Sequence, residues 1–122
     1  MSQLEDLLAL QLRAHKIPVT EEYKFAAAHV GEGKGIRERL KNAGLKNWRF
    51  DFAFIEQKIA VEVEGGAWTG GRHTRGKGFS EDLIKYDAAM NLGWTVYRCD
   101  GSMVKNGCAI NTIIKLLGSI DA

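Results

Sequence analysis

The chain has 122 residues, of which 45% are hydrophobic and 26% are charged. This length predicts one domain over residues 1–122, with enough apolar material for one core. Its 17 basic and 15 acidic residues leave a net charge of +2, which excludes a histone-like polycation and an acidic disordered tail.

The sequence also disfavours membrane and secreted proteins. No apolar run approaches the roughly 20 residues that a membrane-spanning helix needs. The N-terminus lacks the basic region and apolar stretch of a signal peptide. The two cysteines, Cys99 and Cys108, are too few for a disulfide framework and lack the partners of a zinc site. We therefore expect a reduced, cytoplasmic protein with no membrane contact and no small organic cofactor.

Residues 2–16 are predicted to form the first helix. Ser2 and Glu5 fit an S-x-x-E capping box, and leucines follow them at helical spacing. Pro18 marks the exit from this helix. The next stretch, residues 19–26, is predicted to be a strand.

A short helix over residues 36–43, ended by Gly44, precedes the clearest pattern in the sequence. Apolar and polar residues alternate over residues 48–55 and again over residues 59–64, which predicts two strands. The short connection between them predicts an antiparallel hairpin. One face of the first strand is expected to enter the core, and its members are Trp48, Phe50, Phe52 and Phe54. The opposite face carries Arg49, Asp51, Ala53 and Ile55.

The second half of the chain predicts a helix, a strand and a final helix. A glycine-rich loop over residues 65–79 leads to a helix over residues 80–92 and a strand over residues 94–99. After a turn that begins at Asp100, apolar residues at helical spacing predict a helix over residues 108–117. The expected fold class is α/β, with a mixed sheet whose central antiparallel hairpin is flanked by helices in the order α-β-β-β-α-β-α.

Two acidic residues are expected to face each other across the hairpin. A loop of two or four residues places Asp51 opposite Glu62 and Arg49 opposite Glu64, whereas an odd-length loop without a bulge does not. Like charges directly opposed on a sheet are unfavourable, so a cation is expected to offset the repulsion. A hard divalent ion such as Mg²⁺ (or Mn²⁺) prefers oxygen ligands and supplies the charge that phosphodiester hydrolysis needs. The alternative is a solvated polar face on which Arg49 neutralises Glu64.

Basic residues flank the acidic hairpin on both sides in the sequence. The loop after it holds six of the chain's 14 glycines, no acidic residue, and the basic residues Arg72, His73, Arg75 and Lys77. Such a loop suits a phosphate backbone beside a metal, and the alternative is an ordinary surface loop. The segment from Lys34 to Arg49, which includes Arg37, has a basic excess that also suits DNA. The alternative for that segment is a solvated helix face.

The segment RFDFAFIEQKIAVEVEGG, residues 49–66, resembles the core motif of the PD-(D/E)xK nuclease superfamily. That motif is an acid on one strand, followed by an acid-x-acid/Lys triplet on the next. The continuation GGRHTRGKGFSEDLIKYDAAMNLGWTVYRC is similar to the small single-domain branch related to very-short-patch repair endonucleases, phage-encoded members included. In that branch a histidine-bearing loop, a helix and a G-(W/Y)-x-V-x-R strand follow the acids. The last element is filled here by Gly93, Trp94, Val96 and Arg98, and the resemblance covers roughly residues 48–117.

The resemblance implies a restriction-endonuclease-like core and a role for several residues. Asp51 and Glu62 are implied as the metal-binding acids, with the carbonyl of Val63 as a further ligand. Glu64 stands where the superfamily most often has lysine, so that its implied role is to bind a second ion or orient the attacking water. Lys85 is the candidate for a lysine moved to the following helix, and its alternative role is a helical pair with Glu81.

The superfamily often adds a glutamate from its first helix, which makes Glu5 a candidate ligand. The competing role for Glu5 is the capping box with Ser2. Glu22, on the strand after that helix, is the second candidate, and its alternative is an exposed strand residue. His73 is implied as a phosphate contact or an acid/base, and its alternative is an inert loop histidine.

We therefore expect a metal-dependent endodeoxyribonuclease that hydrolyses phosphodiester bonds through a carboxylate-bound Mg²⁺, with a role in DNA repair or recombination. A domain of this size rarely encloses a duplex, so a homodimer or a partner subunit is a further hypothesis. Two alternatives stay open. The first is a non-catalytic DNA-binding module on a nuclease-like fold, because Glu64 replaces the usual lysine. The second is an enzyme that acts on RNA or on branched DNA, such as a junction resolvase.

Overall fold

The computed structural model describes residues 2–65 and 77–121, and the side chains of residues 2–65 and 80–118. The helices in these stretches are α1 (Gln3–Ala14), α2 (Phe25–Val30), α3 (Ile36–Asn42), α4 (Lys77–Asn91), α5 (Gly101–Lys105) and α6 (Cys108–Asp121). The strands are β1 (Thr20–Tyr23), β2 (Phe50–Phe54), β3 (Ile59–Glu64) and β4 (Thr95–Asp100). They form a four-stranded sheet in the order β1-β2-β3-β4. Strands β1, β2 and β3 pair antiparallel, and β4 pairs parallel to β3, which confirms the expected α/β class with a mixed sheet.

The first helix begins with the capping box that the sequence predicts. The hydroxyl of Ser2 accepts the backbone N–H of Glu5 at 3.2 Å, and the carboxylate of Glu5 accepts the backbone N–H of Ser2 at 3.3 Å. Leu8 and Leu12 lie fully buried on the inner face of α1. Within the described residues, neither this helix nor any other is long and apolar enough to cross a membrane.

Two short helices were not expected from the sequence. The strand predicted over residues 19–26 ends at Tyr23, and α2 begins at Phe25 because its alanines favour a helix whose first turns are buried. Asp100, expected to start a turn, instead caps α5, since its Oδ1 accepts the backbone N–H of Met103 at 3.0 Å. Aspartate favours both turns and helix starts, so the sequence alone leaves this choice open.

The hairpin has the register that an even-length loop predicts. Phe52 pairs with Val61, and Phe54 pairs with Ile59. Four residues, Ile55 to Lys58, connect the last pair, and the Lys58 N–H donates to the Ile55 carbonyl at 3.2 Å. The prediction that Asp51 lies opposite Glu62 is therefore confirmed.

The sheet separates two groups of buried side chains. We call the first core the group against α1, α5 and α6, with members Leu8, Leu12, Phe52, Phe54, Ile59, Val61, Cys99, Val104, Ala109, Ile110 and Ile113. The second core lies against α2, α3 and α4, with members Phe25, Ala26, Leu40, Phe50, Ala53, Ala60, Ala89 and Trp94. Residues two apart on a strand share a face of the sheet. Asp51 and Glu62 therefore lie on the same face as the paired Ala53 and Ala60, which is the side of the second core.

The aromatic residues of β2 do not share one face, so that prediction is wrong in part. Phe52 and Phe54 enter the first core, whereas Phe50 joins the second core. The Phe50 ring stacks on Phe25, with centroids 4.1 Å apart. The change of side coincides with Glu22 on β1, whose φ of +53° interrupts the extended backbone beside Asp51.

Candidate functional site

Asp51 and Glu62 lie just beyond the Phe52–Val61 pair, where the pairing between β2 and β3 ends. The N–H of Asp51 donates to Oε2 of Glu62 at 2.9 Å. The N–H of Val63 donates to Oδ2 of Asp51 at 2.8 Å. Each carboxylate thus accepts a backbone N–H from the opposite strand. These two bonds hold the like charges together at the end of the ladder.

Glu62 is the buried charged residue of the described part of the chain, with 6% of its surface exposed. Its Oε1 binds the ammonium of Lys85 on α4 and accepts a hydrogen bond from the Tyr86 hydroxyl at 3.3 Å. The ion pair of Lys85 is with Glu62, so the alternative of a helical pair with Glu81 is wrong, while the role of Lys85 as the moved lysine stays a prediction. A buried carboxylate needs such a partner to stay ionised.

The surroundings of Asp51 shift its pKa. Burial raises the pKa of Asp51 from its ordinary value of 3.8 to about 7, and the charges of Glu62 and Glu5 act in the same direction. The Val63 N–H and the Lys85 ammonium oppose that rise without cancelling it. Within residues 2–65 and 80–118, no donor hydrogen-bonds the second oxygen, Oδ1. The favourable contacts of Asp51 therefore do not offset the cost of burying its ionised form.

Glu5 and Glu22, the two further candidate ligands, have different surroundings. Glu5 lies close enough to raise the pKa of Asp51, and it forms the capping box at the same time. Glu22 lies beside Asp51 in the β1–β2 register, but its Oε2 is 2.9 Å from Nε of Arg49. The first helix therefore adds negative charge to the site, whereas Glu22 is neutralised locally.

Glu64 is paired with a residue that the sequence analysis did not assign. Its Oε1 is 2.6 Å from Nε of Arg98 on β4, so the alternative in which Arg49 neutralises it is wrong. The guanidinium of Arg98 lies over the ring of Tyr86, 4.6 Å from its centroid. Burial raises the pKa of Tyr86 above its ordinary value, and the charges of Glu62 and Glu64 raise it further. Arg98 and Tyr86 thus connect the two glutamates of β3.

The predicted DNA-binding residues have different surroundings. Lys34 and Arg37 are exposed near the start of α3, and Arg49 is held by Glu22. Lys77 is the first residue of α4, and its side chain lies outside the described residues. The other members of the predicted loop also lie outside the described residues, and they are Arg72, His73 and Arg75.

The donor set suits a hard divalent cation only in part. Among the side chains that the structure describes, no group of three or more His, Cys, Asp and Glu is arranged to hold a metal ion. The candidate ligands are the carboxylates of Asp51 and Glu62 and the carbonyl of Val63. Mg²⁺ is commonly held by one or two protein carboxylates, with water and phosphate oxygens as the other ligands. Two adjacent carboxylates, one of them with a raised pKa, fit that mode of binding.

A cavity of about 590 Å³ lies at the other end of the hairpin, beside the Ile55–Lys58 loop and α6, away from the acidic pair. Comparisons of the chain with protein-family models, with curated proteins and with solved structures found no match.

Proposed function

We propose that this chain is a Mg²⁺-dependent endodeoxyribonuclease with a restriction-endonuclease-like core. The observation that carries the proposal is the Asp51–Glu62 pair, held side by side at the end of β2 and β3 with Lys85 in contact. The raised pKa of Asp51 supports it, because this carboxylate gains most from a bound cation. The resemblance of residues 49–66 to the PD-(D/E)xK motif implies that the reaction is phosphodiester hydrolysis.

Asp51 and Glu62 would hold the ion, together with the carbonyl of Val63. The ion supplies positive charge to the phosphodiester oxygens and to the attacking water. Glu5 strengthens the site through its negative charge, because it acts on Asp51 across the gap between α1 and β2. The backbone N–H donors of Asp51 and Val63 fix the orientation of the two carboxylates. These side chains therefore need little rearrangement when an ion binds.

Lys85 takes the role of the lysine that the motif lacks at Glu64. Its ammonium lies against Glu62, where it can stabilise the negative charge of a phosphate oxygen or orient a water. Glu64 is held by Arg98. Glu64 and Arg98 are therefore positioning residues in this proposal, because they support Tyr86 and through it Glu62.

One observation favours the non-catalytic DNA-binding module as a second candidate. Each glutamate of β3 already has a cation, Lys85 for Glu62 and Arg98 for Glu64. An acidic cluster neutralised by the protein's own side chains holds together without a metal. The two candidates differ in whether a divalent ion binds at Asp51, which an experiment can measure directly.

The test uses Asp51→Asn, which keeps the size of the side chain and the oxygen that accepts the Val63 N–H. We expect the wild-type protein to nick supercoiled plasmid in Mg²⁺ or Mn²⁺ and not in EDTA. We expect Asp51→Asn to lower the rate on the order of 100-fold or more. Glu56→Gln, in the exposed hairpin loop, is the matched control and should cut at the wild-type rate.

A second measurement separates the candidates even if no cleavable substrate is found. Mg²⁺ should raise the melting temperature of the wild-type protein and not that of Asp51→Asn. DNA binding without nicking and without a Mg²⁺-dependent shift would establish the module. Nicking that persists in Asp51→Asn would mean that the site lies elsewhere. Branched and linear DNA should be compared in the same assay, because a preference for branched DNA would identify a resolvase.

A further inference from the structure

A second groove lies on the same side of the sheet, along the other flank of α4. Its volume is about 290 Å³, at the lower end of ligand-sized pockets. Its walls come from α2, α4 and the segment between α3 and β2, and they include His29, Gly44, Trp48, Ile84, Asp87 and Asn91. A row of rings connects the groove to the acidic site, because Trp48 packs on Phe25, Phe25 packs on Phe50, and the ammonium of Lys85 lies 5.9 Å from the Phe50 ring centroid.

The walls of this groove combine an aromatic ring with hydrogen-bonding groups. Trp48 is half-buried and is held parallel to Phe25, with ring centroids 6.3 Å apart and an interplanar angle of 10°. Ile84 lines the groove with 58% of its surface exposed, so an apolar side chain is accessible at this wall. At the rim, the amide of Asn91 donates to Oδ2 of Asp87 at 3.2 Å. That bond orients the Asn91 carbonyl oxygen and leaves Oδ1 of Asp87 as a second acceptor.

Exposed lysines beside the groove favour a ligand that carries negative charge next to the part bound in the groove. Lys41 precedes the wall segment over residues 43–48, Lys46 lies within it, and both are exposed. Neither forms an ion pair with a residue that the structure describes, in contrast to Arg49. Arg39, on the same helix, is used within the protein, since its guanidinium donates to backbone carbonyls between Val30 and Lys34. Lys41 and Lys46 are thus two exposed cations beside the groove that no described carboxylate pairs with.

We propose that this groove binds an unpaired nucleobase of a nucleic-acid strand, with Lys41 and Lys46 on the adjoining phosphates. A base has flat faces that pack on Trp48 and Ile84, and its exocyclic amino groups are donors for Asp87 and Asn91. The inference rests on the proposed function, because it takes nucleic acid as the partner. It adds that the bound strand has an unstacked base, so a single-stranded or locally opened substrate is preferred over an intact duplex.

The test compares two strands that differ only in their bases. Binding of short oligodeoxycytidylate, whose bases carry an exocyclic amino group, and of a fully abasic strand of the same length is measured by fluorescence anisotropy in EDTA, where no cleavage occurs. We expect the wild-type protein to bind oligodeoxycytidylate about tenfold more tightly, as base–aromatic stacking predicts. Equal affinity for the two strands would overturn the proposal, because the phosphates alone would then account for binding.

Two variants on α4 test whether the preference for a strand with bases arises in this groove. Ile84→Glu fills the groove with a charged side chain and should remove the preference for bases, so that the two strands bind alike. Met90→Glu is the matched control, since Met90 is 74% exposed, lies on the same helix and does not line the groove. It adds the same charge and should keep the preference. Equal loss in both variants would contradict the assignment of this groove.

The outcomes also separate this inference from the proposed function. Plasmid nicking in Mg²⁺ by a protein that binds both strands equally would reject the groove and keep the nuclease. A base preference that Ile84→Glu removes, in a protein that never cuts DNA, would keep the groove and reject the nuclease. Trp48→Leu gives a second probe of the ring, with a melting temperature measured beside it because Trp48 also packs against the second core.

Discussion

The two ion pairs of β3 differ in burial although their glutamates lie two residues apart on the same face. The side chains of Lys85 and Glu62 are 15% and 7% exposed. Those of Arg98 and Glu64 are 45% and 35% exposed. An ion pair between a glutamate and a cation therefore contributes differently to stability at each position. At Glu62 the cation prevents an uncompensated buried charge, whereas at Glu64 water screens much of the attraction.

This difference in burial agrees with the roles that we propose. A buried carboxylate with fixed donors is suited to hold an ion at one place, because its orientation is set before the ion arrives. An exposed ion pair is suited to support a neighbour, as Arg98 does when it lies over Tyr86. Two variants, Lys85→Met and Arg98→Met, test whether the two pairs differ as their burial indicates, and two further predictions test the electrostatics of the neighbouring Asp51.

The largest effect is expected from Lys85→Met. It leaves Glu62 buried without its cation, so we expect the free energy of unfolding to fall by about 3 kcal/mol at neutral pH. Urea denaturation measures the loss. The double variant Lys85→Met/Glu62→Gln removes the buried charge as well and should recover part of the stability. A double variant as unstable as Lys85→Met alone would mean that lost packing, and not the charge, causes the effect.

The second prediction concerns Asp51 and pH. Since its pKa rises from 3.8 to about 7 in the folded protein, the folded state keeps a proton that the unfolded state loses between these values. The free energy of unfolding therefore falls as pH rises from about 4 to about 7 and loses this dependence above pH 7. Asp51→Asn should show a shallower fall than the wild-type protein over the same window, in denaturant melts at each pH.

Glu5→Gln tests the cause of that shift. It removes one of the charges that raise the pKa of Asp51, so the pKa of Asp51 should be lower in this variant. A glutamine at this position still completes the capping box with Ser2, which keeps α1 intact. Carboxyl-detected NMR titration gives the value. Asp6→Asn, one residue along the same helix, should leave the pKa of Asp51 unchanged.

The acidic pair was predictable because strand alternation and an even-length loop determine which residues face each other. The partners of the two glutamates on β3 were harder to predict. The helical pattern offered Glu81 as the partner of Lys85, and only the packing of α4 on the sheet selects Glu62. Arg98 reaches Glu64 because β4 lies parallel to β3 in a specific register, which no local pattern in the sequence encodes.

The errors in the fold have the same origin as the missing partners. Helix α2 is six residues long, too short for helical periodicity to distinguish it from the end of a strand. Phe50 belongs to the second core although the alternation assigns it to the first. That assignment assumes an extended backbone, and Glu22 departs from it on the neighbouring strand. Local patterns therefore predicted the hairpin, whereas tertiary packing decided the residues around it.

The smallest effect is expected from Arg98→Met, which breaks the exposed pair. Because water and salt screen charges at this level of exposure, we expect the free energy of unfolding to fall by less than about 1 kcal/mol. In denaturant melts at high salt this loss should shrink further, whereas the loss in Lys85→Met should persist because its pair is buried. A loss in Arg98→Met as large as that in Lys85→Met would contradict the comparison. It would mean that the contact of the guanidinium with Tyr86, and not burial of the ion pair, determines how strongly each cation supports β3.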